Sequence, residues 1–443
     1  MGAIEWQKVF RRAIFPVASP PSGRQIAFGV TLAIFVSYNA CLTLGLGLLG
    51  SRGNSTATGV LLFGLPLLLL LFSLRSAPRV QLPDFVFAGL VITALLSFLI
   101  NHQGGESTKE YLILIASLAG YIACRSLLAE DAPVVRSVFE RVTAAIVLLG
   151  AVFTADEIFR QWNGPPGKPF VFGFNAAGTY FMMSLSLLIL ALVTVDKPRP
   201  ERTAIVCAVI FLPTAIFAAA MVRFTFIALA GSLLVAMIMA ESGRRWHVLA
   251  VGFTIFFAVI AGLGARYSTT KIYATYVLEQ PVETGAGATE MPSCRLTVNT
   301  RNSIAIRQAL ARDAMHLIPT AGLLGTGLDS FLRFSCIKAH QVHISVLQWA
   351  VEFGWLGGTF FVMLIGIVIH RVAPYAKGDG AIRFILCSLV FLVLVSLAHG
   401  RASRDSALFA LLGCAVGVAD FRRCQNQNRA APIGVPRRPD DGR

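Results

Sequence analysis

The chain has 443 residues, 56% of them hydrophobic and 14% charged, with a mean hydropathy of +0.70; soluble globular chains sit nearer about half apolar and about a quarter charged. This composition indicates a polytopic membrane protein, and the long unbroken apolar runs exclude strand barrels, so the spans are expected to be α-helical. The net charge of +15 is scattered through the loops, which points to topology signals and argues against a nucleic-acid partner.

The first apolar run begins near Ile26 after Lys8, Arg11, Arg12 and Arg24. It is long enough to span and lacks a convincing cleavage site, so it reads as a signal anchor and not as a cleavable signal peptide. Apolar windows give about twelve spans, near residues 26–49, 57–74, 84–101, 111–128, 137–155, 175–195, 203–222, 224–241, 246–264, 347–369, 382–398 and 405–421. Arg75, Arg79, Lys197, Arg199, Arg202, Arg244, Arg245, Arg371, Lys377 and Arg383 fall in loops on one side, as do the arginines after Phe421. The positive-inside rule places that side, and both termini, in the cytoplasm. The expected organisation is therefore an all-α polytopic protein with a cytoplasmic amino terminus (1–25), nine spans (26–265), a long extracytoplasmic loop (266–344), three spans (345–421) and a polar, Pro-containing, disordered tail (422–443). Ser303 to Leu317 within the long loop has helical periodicity, and a loop of that length in a compact protein is usually functional.

Of the eight cysteines, none forms a CxxC pair and six lie in or beside apolar spans, where thiols act as small hydrophobes. This argues against a metal site. Cys294 and Cys336 fall in the long loop, where a disulfide can form in an oxidising compartment. The GLGLLG run at Gly45–Gly50 satisfies a dinucleotide-binding pattern on paper, yet it closes an apolar span, so it reads as helix packing.

Arginines gather on the outer face. In "AAAMVRFTFIALAGS", Arg223 sits in a tight connection between two spans, either snorkelling to headgroups or facing an anion in a cavity. The long loop supplies Arg301, Arg307 and Arg312, as a solvated helix face or as phosphate ligands. "HGRASRDS" adds His399, Arg401 and Arg404 before the last span, either attracting an anionic substrate or pairing with Asp405 or lipid phosphate.

The stretch "AHQVHISVLQWAVEFGWLGG" carries His343, a leucine four residues on (Leu347), a glutamate nine on (Glu352) and a glycine eleven on (Gly354). This pattern, opening a membrane helix after a long loop, resembles the hallmark of the O-antigen ligase and O-antigen polymerase family. "MVRFTFIALAG" looks like that family's membrane-edge arginine motif, with Arg223 in the arginine position. "SIAIRQALARDA" followed by "PTAGLLGTGLDSF" is similar to its next signature, with Ser303, Arg307, Pro319, Gly325, Gly327 and Phe331 at matching places. Asn175 in "FVFGFNAAGTYF" matches a usual asparagine. The resemblance covers about residues 165–370. Ile344 stands where relatives commonly have asparagine, and His340 forms a pair with His343.

The resemblance implies transfer of a glycan from an undecaprenyl diphosphate-linked donor to a sugar hydroxyl, on lipid A core for a ligase or on a growing glycan for a polymerase. It places the reaction at the outer face of the bacterial inner membrane, without cofactor or metal and with inversion. His343 is the expected base, Arg223 and Arg307 the diphosphate ligands, with Arg301 as a fallback for Arg307. Arg301, His340, Arg401, Arg404 and Asn175 are the expected substrate contacts, and Glu352 is expected to brace an arginine or the loop. The residues suit this chemistry: preorganised arginines stabilise a departing diphosphate, and a neutral histidine takes the proton of an attacking hydroxyl. A polysaccharide or lipid-carrier transporter is the rival of another class; it calls for midplane charges and internal repeats, and no repeat is visible in the chain.

Overall fold

The structure is a computed structural model that describes residues 22–48, 55–72, 79–101, 105–127, 131–162, 169–171, 199–221, 224–278, 282–283, 291–297, 302–337 and 340–430. The first helices are α1 (Gly23–Val36), α2 (Tyr38–Leu48), α3 (Ser55–Leu71), α4 (Leu82–Asn101), α5 (Gly105–Cys124) and α6 (Ala132–Arg160). They are followed by α7 (Pro200–Ala219), α8 (Phe224–Met239), α9 (Ser242–Ala265) and α10 (Tyr267–Leu278). A two-residue ladder pairs β1 (Val282–Glu283) with β2 (Leu296–Thr297), and then come α11 (Ser303–Ala321) and the single-turn α12 (Phe331–Phe334). The chain continues through α13 (Ser345–Glu352), α14 (Gly354–Ala376), α15 (Gly380–His399) and α16 (Ser406–Ala430).

Six of these helices are long and apolar enough to cross a bilayer: α4, α6, α7, α9, α14, and α15 as far as Ala398. The chain is thus a multi-pass helical membrane protein. Twelve spans are not reached among the described residues: α1 and α8 are shorter apolar helices, and the expected span at 175–195 lies outside the described residues.

Local chemistry sets the boundaries. Ser22 and Gln25 form a reciprocal capping box at α1, the Asn302 side chain accepts from the Ile304 and Ala305 amides at α11, and Asp379 does the same for α15. Two expectations are corrected here. The span at 26–49 is divided at Ser37 into α1 and α2. The tail expected to lose structure from 422 stays helical to Ala430, because the end of α16 is tied to its neighbours: Arg422 pairs with Asp379 and Asp420 with Arg125.

Those pairs belong to a polar layer at one end of the bundle, where buried Arg125 also bonds Asp84 at 3.0 Å and the Tyr121 hydroxyl donates to Asp84 at 2.9 Å. Asp84 opens α4 and Asn101 closes it. Twenty residues at the helical rise span about 30 Å, the thickness of a hydrocarbon core, so the two ends of α4 mark two membrane edges. Close approach of small residues packs the helices between: a side chain at Gly413 of α16 would meet the Tyr121 carbonyl of α5 at 2.2 Å, and one at Gly262 of α9 would meet the Ala215 carbonyl of α7 at 2.1 Å.

The Asn101 end carries the loop region. α11 packs on α13 over a small separate core of Ile306, Leu310, Ala314, Leu317, Phe331 and Val342. The Cys294–Cys336 disulfide closes this unit. Buried Asp313 reinforces the closure, accepting from the Ser293 amide at 2.8 Å and the Ser335 hydroxyl at 2.7 Å.

Candidate functional site

The span expected at 347–369 is broken in the structure. α13 ends at Glu352, Phe353 intervenes, and Gly354 takes φ +74°. A helix end leaves backbone groups without intrahelical partners, and here the Gly322–Gly327 turn supplies them. Thr326 and Gly327 amides donate to the Val351 and Glu352 carbonyls at 3.1 and 2.9 Å, while Trp355 and Leu356 amides donate to Gly322 and Leu323 at 3.0 and 3.3 Å. A Cβ on Gly325 (φ +74°) would lie 2.4 Å from the Gly354 amide nitrogen, and one on Gly354 would lie 2.4 Å from that of Gly325. Only glycine fits both the left-handed backbone and the contact. Asn101 of α4 holds the turn from below, its amide donating to the Gly325 carbonyl at 3.2 Å.

This joint positions the residues around it. His343 lies just before α13, half-buried, beside Val342 in the small core. Burial first, and then the charges of Arg307, His340 and Arg401, push His343 down to about 4, so the imidazole is neutral at pH 7. Arg307, His340 and Arg401 therefore stand within electrostatic reach of His343, although the four residues come from three separate stretches of the chain. Arg307 of α11 stacks its guanidinium 4.9 Å from the centre of the Phe224 ring, and burial lowers it to about 10, which leaves it charged. Phe224 opens α8 and follows Arg223 in the sequence. Arg223, Arg301 and Asn175 lie outside the described residues.

Arg401 and Arg404 find their acids elsewhere than at Asp405. Arg401 contacts Asp329 Oδ1 at 3.0 Å and Glu110 Oε1 at 3.5 Å, and Arg404 contacts Glu110 Oε1 at 3.2 Å. Asp405 accepts instead from Ser345 at 2.6 Å and Ser396 at 2.8 Å, which ties the start of α13 to α15 and α16; burial pushes Asp405 up to about 6.

Glu352 is fully buried and lies two residues before the start of α14 at Gly354. Its carboxyl accepts from Gln348 at 2.8 Å, and Gln348 accepts from the Ala402 amide at 2.8 Å. Burial, then the charge of Asp329, pushes Glu352 up to about 8. The Glu352 carbonyl accepts from the glycine turn, and its carboxyl is linked through Gln348 to the Ala402 amide. His340 is exposed.

Sequence reasoning missed Glu110, Asp329, Gln341 and Gln348. A signal existed for the first two: Arg401 and Arg404 break the positive-inside pattern, and unmatched cations near a membrane edge call for acids on the same side.

An apolar groove of about 530 Å³ opens between α8 and α9, lined among others by Phe226, Leu233, Met237, Val248, Phe253 and Phe256. It begins two residues beyond Phe224, the ring on which Arg307 stacks. No family model matches the chain, and no characterised protein matches it in sequence.

Proposed function

We propose that this protein is an O-antigen ligase-like glycan transferase of the bacterial inner membrane, moving a glycan from undecaprenyl diphosphate to a sugar hydroxyl of lipid A core at the periplasmic face. The observation that carries this reading is a neutral imidazole, His343, within electrostatic reach of Arg401 and of Arg307, which stacks on Phe224 at the head of α8. In the proposed reaction the acceptor oxygen attacks the anomeric carbon, the bond from that carbon to the diphosphate oxygen breaks, and the leaving diphosphate keeps the bonding pair. His343 takes the acceptor proton, Arg307 and Arg223 hold the diphosphate as its charge grows, and attack from the far side inverts the centre. The groove between α8 and α9 suits the isoprenoid tail, since an apolar chain gains by leaving water and can lie against apolar side chains.

A free-enzyme value near 4 makes His343 a weak base. A bound diphosphate offsets the positive charges facing it, which raises its basicity when donor is present. His340, Arg301, Arg404 and Asn175 are proposed substrate contacts around this centre.

The test is transfer from a lipid-linked donor by purified protein. His343→Ala is expected to lose transfer by more than about a hundredfold while retaining the wild-type melting profile; retained activity removes the base assignment. EDTA is expected to leave the rate unchanged, and loss restored by a divalent ion contradicts the arginine scheme. Surface glycans of a deletion strain decide the acceptor: accumulated carrier-linked long chains fit a missing ligase, single-repeat products a missing polymerase.

A further inference from the structure

We propose that Asp329 and Gln341, together with Arg401, form the subsite that binds the hydroxyls of the acceptor sugar beside His343. This rests on the transfer reading above and names residues and a ligand side for it.

Asp329 follows the glycine turn and, although not glycine, takes φ +68°. That backbone is uncommon for a residue with a side chain and persists only where surrounding contacts hold it. The contacts that hold it are polar: Arg401 and Gln341 both donate to Asp329 Oδ1. The same cluster leaves hydrogen-bonding capacity unused. Gln341 is 7% exposed, and its Oε1 is buried without a partner, as is the Nε of Arg401. Because the Gln341 amide nitrogen is committed to a carboxylate, the amide orientation is fixed and the free atom is an acceptor. A leftover acceptor and a leftover donor beside a carboxylate fit hydroxyl groups, which donate and accept at once.

Charge separates this side from the donor side. Asp329 and Glu110 present carboxylates around Arg401, and these repel a diphosphate. Arg307, stacked on Phe224 at the head of the apolar groove, attracts one. A neutral polyol is the ligand the acidic side accepts. Its place next to the general base follows from the chain: Gln341 and His343 flank Val342, which is anchored in the core beneath α11. Asp329 and Arg401 remain 21% and 27% exposed, so the cluster has a mouth.

The experiment measures oligosaccharide binding to the full-length protein in nanodiscs, without donor, by saturation-transfer NMR. One probe is a core oligosaccharide freed of lipid A; the other is an oligosaccharide of the polymer repeat unit. Wild type is expected to bind one of them, and which one it binds separates a core acceptor from a growing chain. Gln341→Ala and Asp329→Asn are expected to weaken binding about tenfold or more. Asp329→Asn also loosens Arg401, so Gln341→Ala decides if that variant misfolds. Unchanged binding in Gln341→Ala, or no binding of either probe by wild type, overturns the subsite. In the transfer assay the same variants are expected to raise the acceptor KM with the donor KM unchanged. A wild-type protein that transfers glycan while its Gln341→Ala variant keeps the acceptor KM loses the subsite and keeps the reaction. A wild type that binds oligosaccharide through Gln341 and never consumes a carrier-linked donor loses the reaction and keeps the subsite.

Discussion

His343 and Glu352 are both held neutral first by burial, which lowers an imidazole and raises a carboxyl, and pH separates them. Burial, with Arg307 the next cause, lowers His343 to about 4, whereas burial raises Glu352 to about 8. If diphosphate offsets the cations, the acid limb of kcat should lie above that of kcat/KM, because kcat reports the donor complex and kcat/KM the free protein; coincident limbs would remove the coupling. For Glu352 the sign follows from linkage. Its carboxyl ionises near 4.5 in the unfolded chain and near 8 in the fold, so stability is highest below the first value, falls as pH rises between the two, and levels off above the second. Glu352→Gln keeps the hydrogen-bonding shape and removes the titration. Its melting temperature is expected to fall less than the wild type's between pH 5 and pH 8, and an equal fall would show that Glu352 does not titrate there. His343 was singled out by the family resemblance that its spacing to Leu347, Glu352 and Gly354 carries, whereas the partners of Arg401 were not legible, since Glu110 and Asp329 are brought to it only by tertiary packing.

At the scale of elements, the joint between α13 and α14 is the feature that apolar periodicity misread. Hydropathy runs straight through Phe353, so a window sees one span; what divides it is the left-handed backbone of Gly354 meeting Gly325 from a turn some thirty residues earlier, so close that a Cβ on either would lie 2.4 Å from the other's amide nitrogen. Either glycine replaced by alanine would push a methyl into backbone. Gly354→Ala and Gly325→Ala are each expected to destabilise the fold by about 2 kcal/mol or more and to cut transfer by displacing His343 and Asp329 together, read by melting temperature and by rate. A variant with wild-type values of both would show that the joint yields. The loop helix α11 was legible from Ser303 to Leu317 by its helical periodicity, and its apolar positions fill the small core; the Asn302 cap and the last turn to Ala321 emerge only in the structure.

For the whole molecule, membrane character and helical class were plain in composition, while the number of crossings was not: apolar stretches become short helices, divided helices or long ones. The buried pairing of Arg125 with Asp84 and Asp420 joins α4, α5 and α16 at the end opposite the site. Breaking such a pair strands a charge, so Asp84→Ala is expected to lower yield and melting temperature while preserving the acceptor KM of the protein that folds; a changed KM would mean that the two ends are coupled. The bridge between Cys294 and Cys336 turns the eight cysteines into a recorder of orientation. Maleimide counting on the denatured, unreduced protein should find six reactive thiols, and eight after reductant; eight from the outset would mean that residues 294 to 336 had matured in a reducing compartment, and the whole arrangement would have to be turned over.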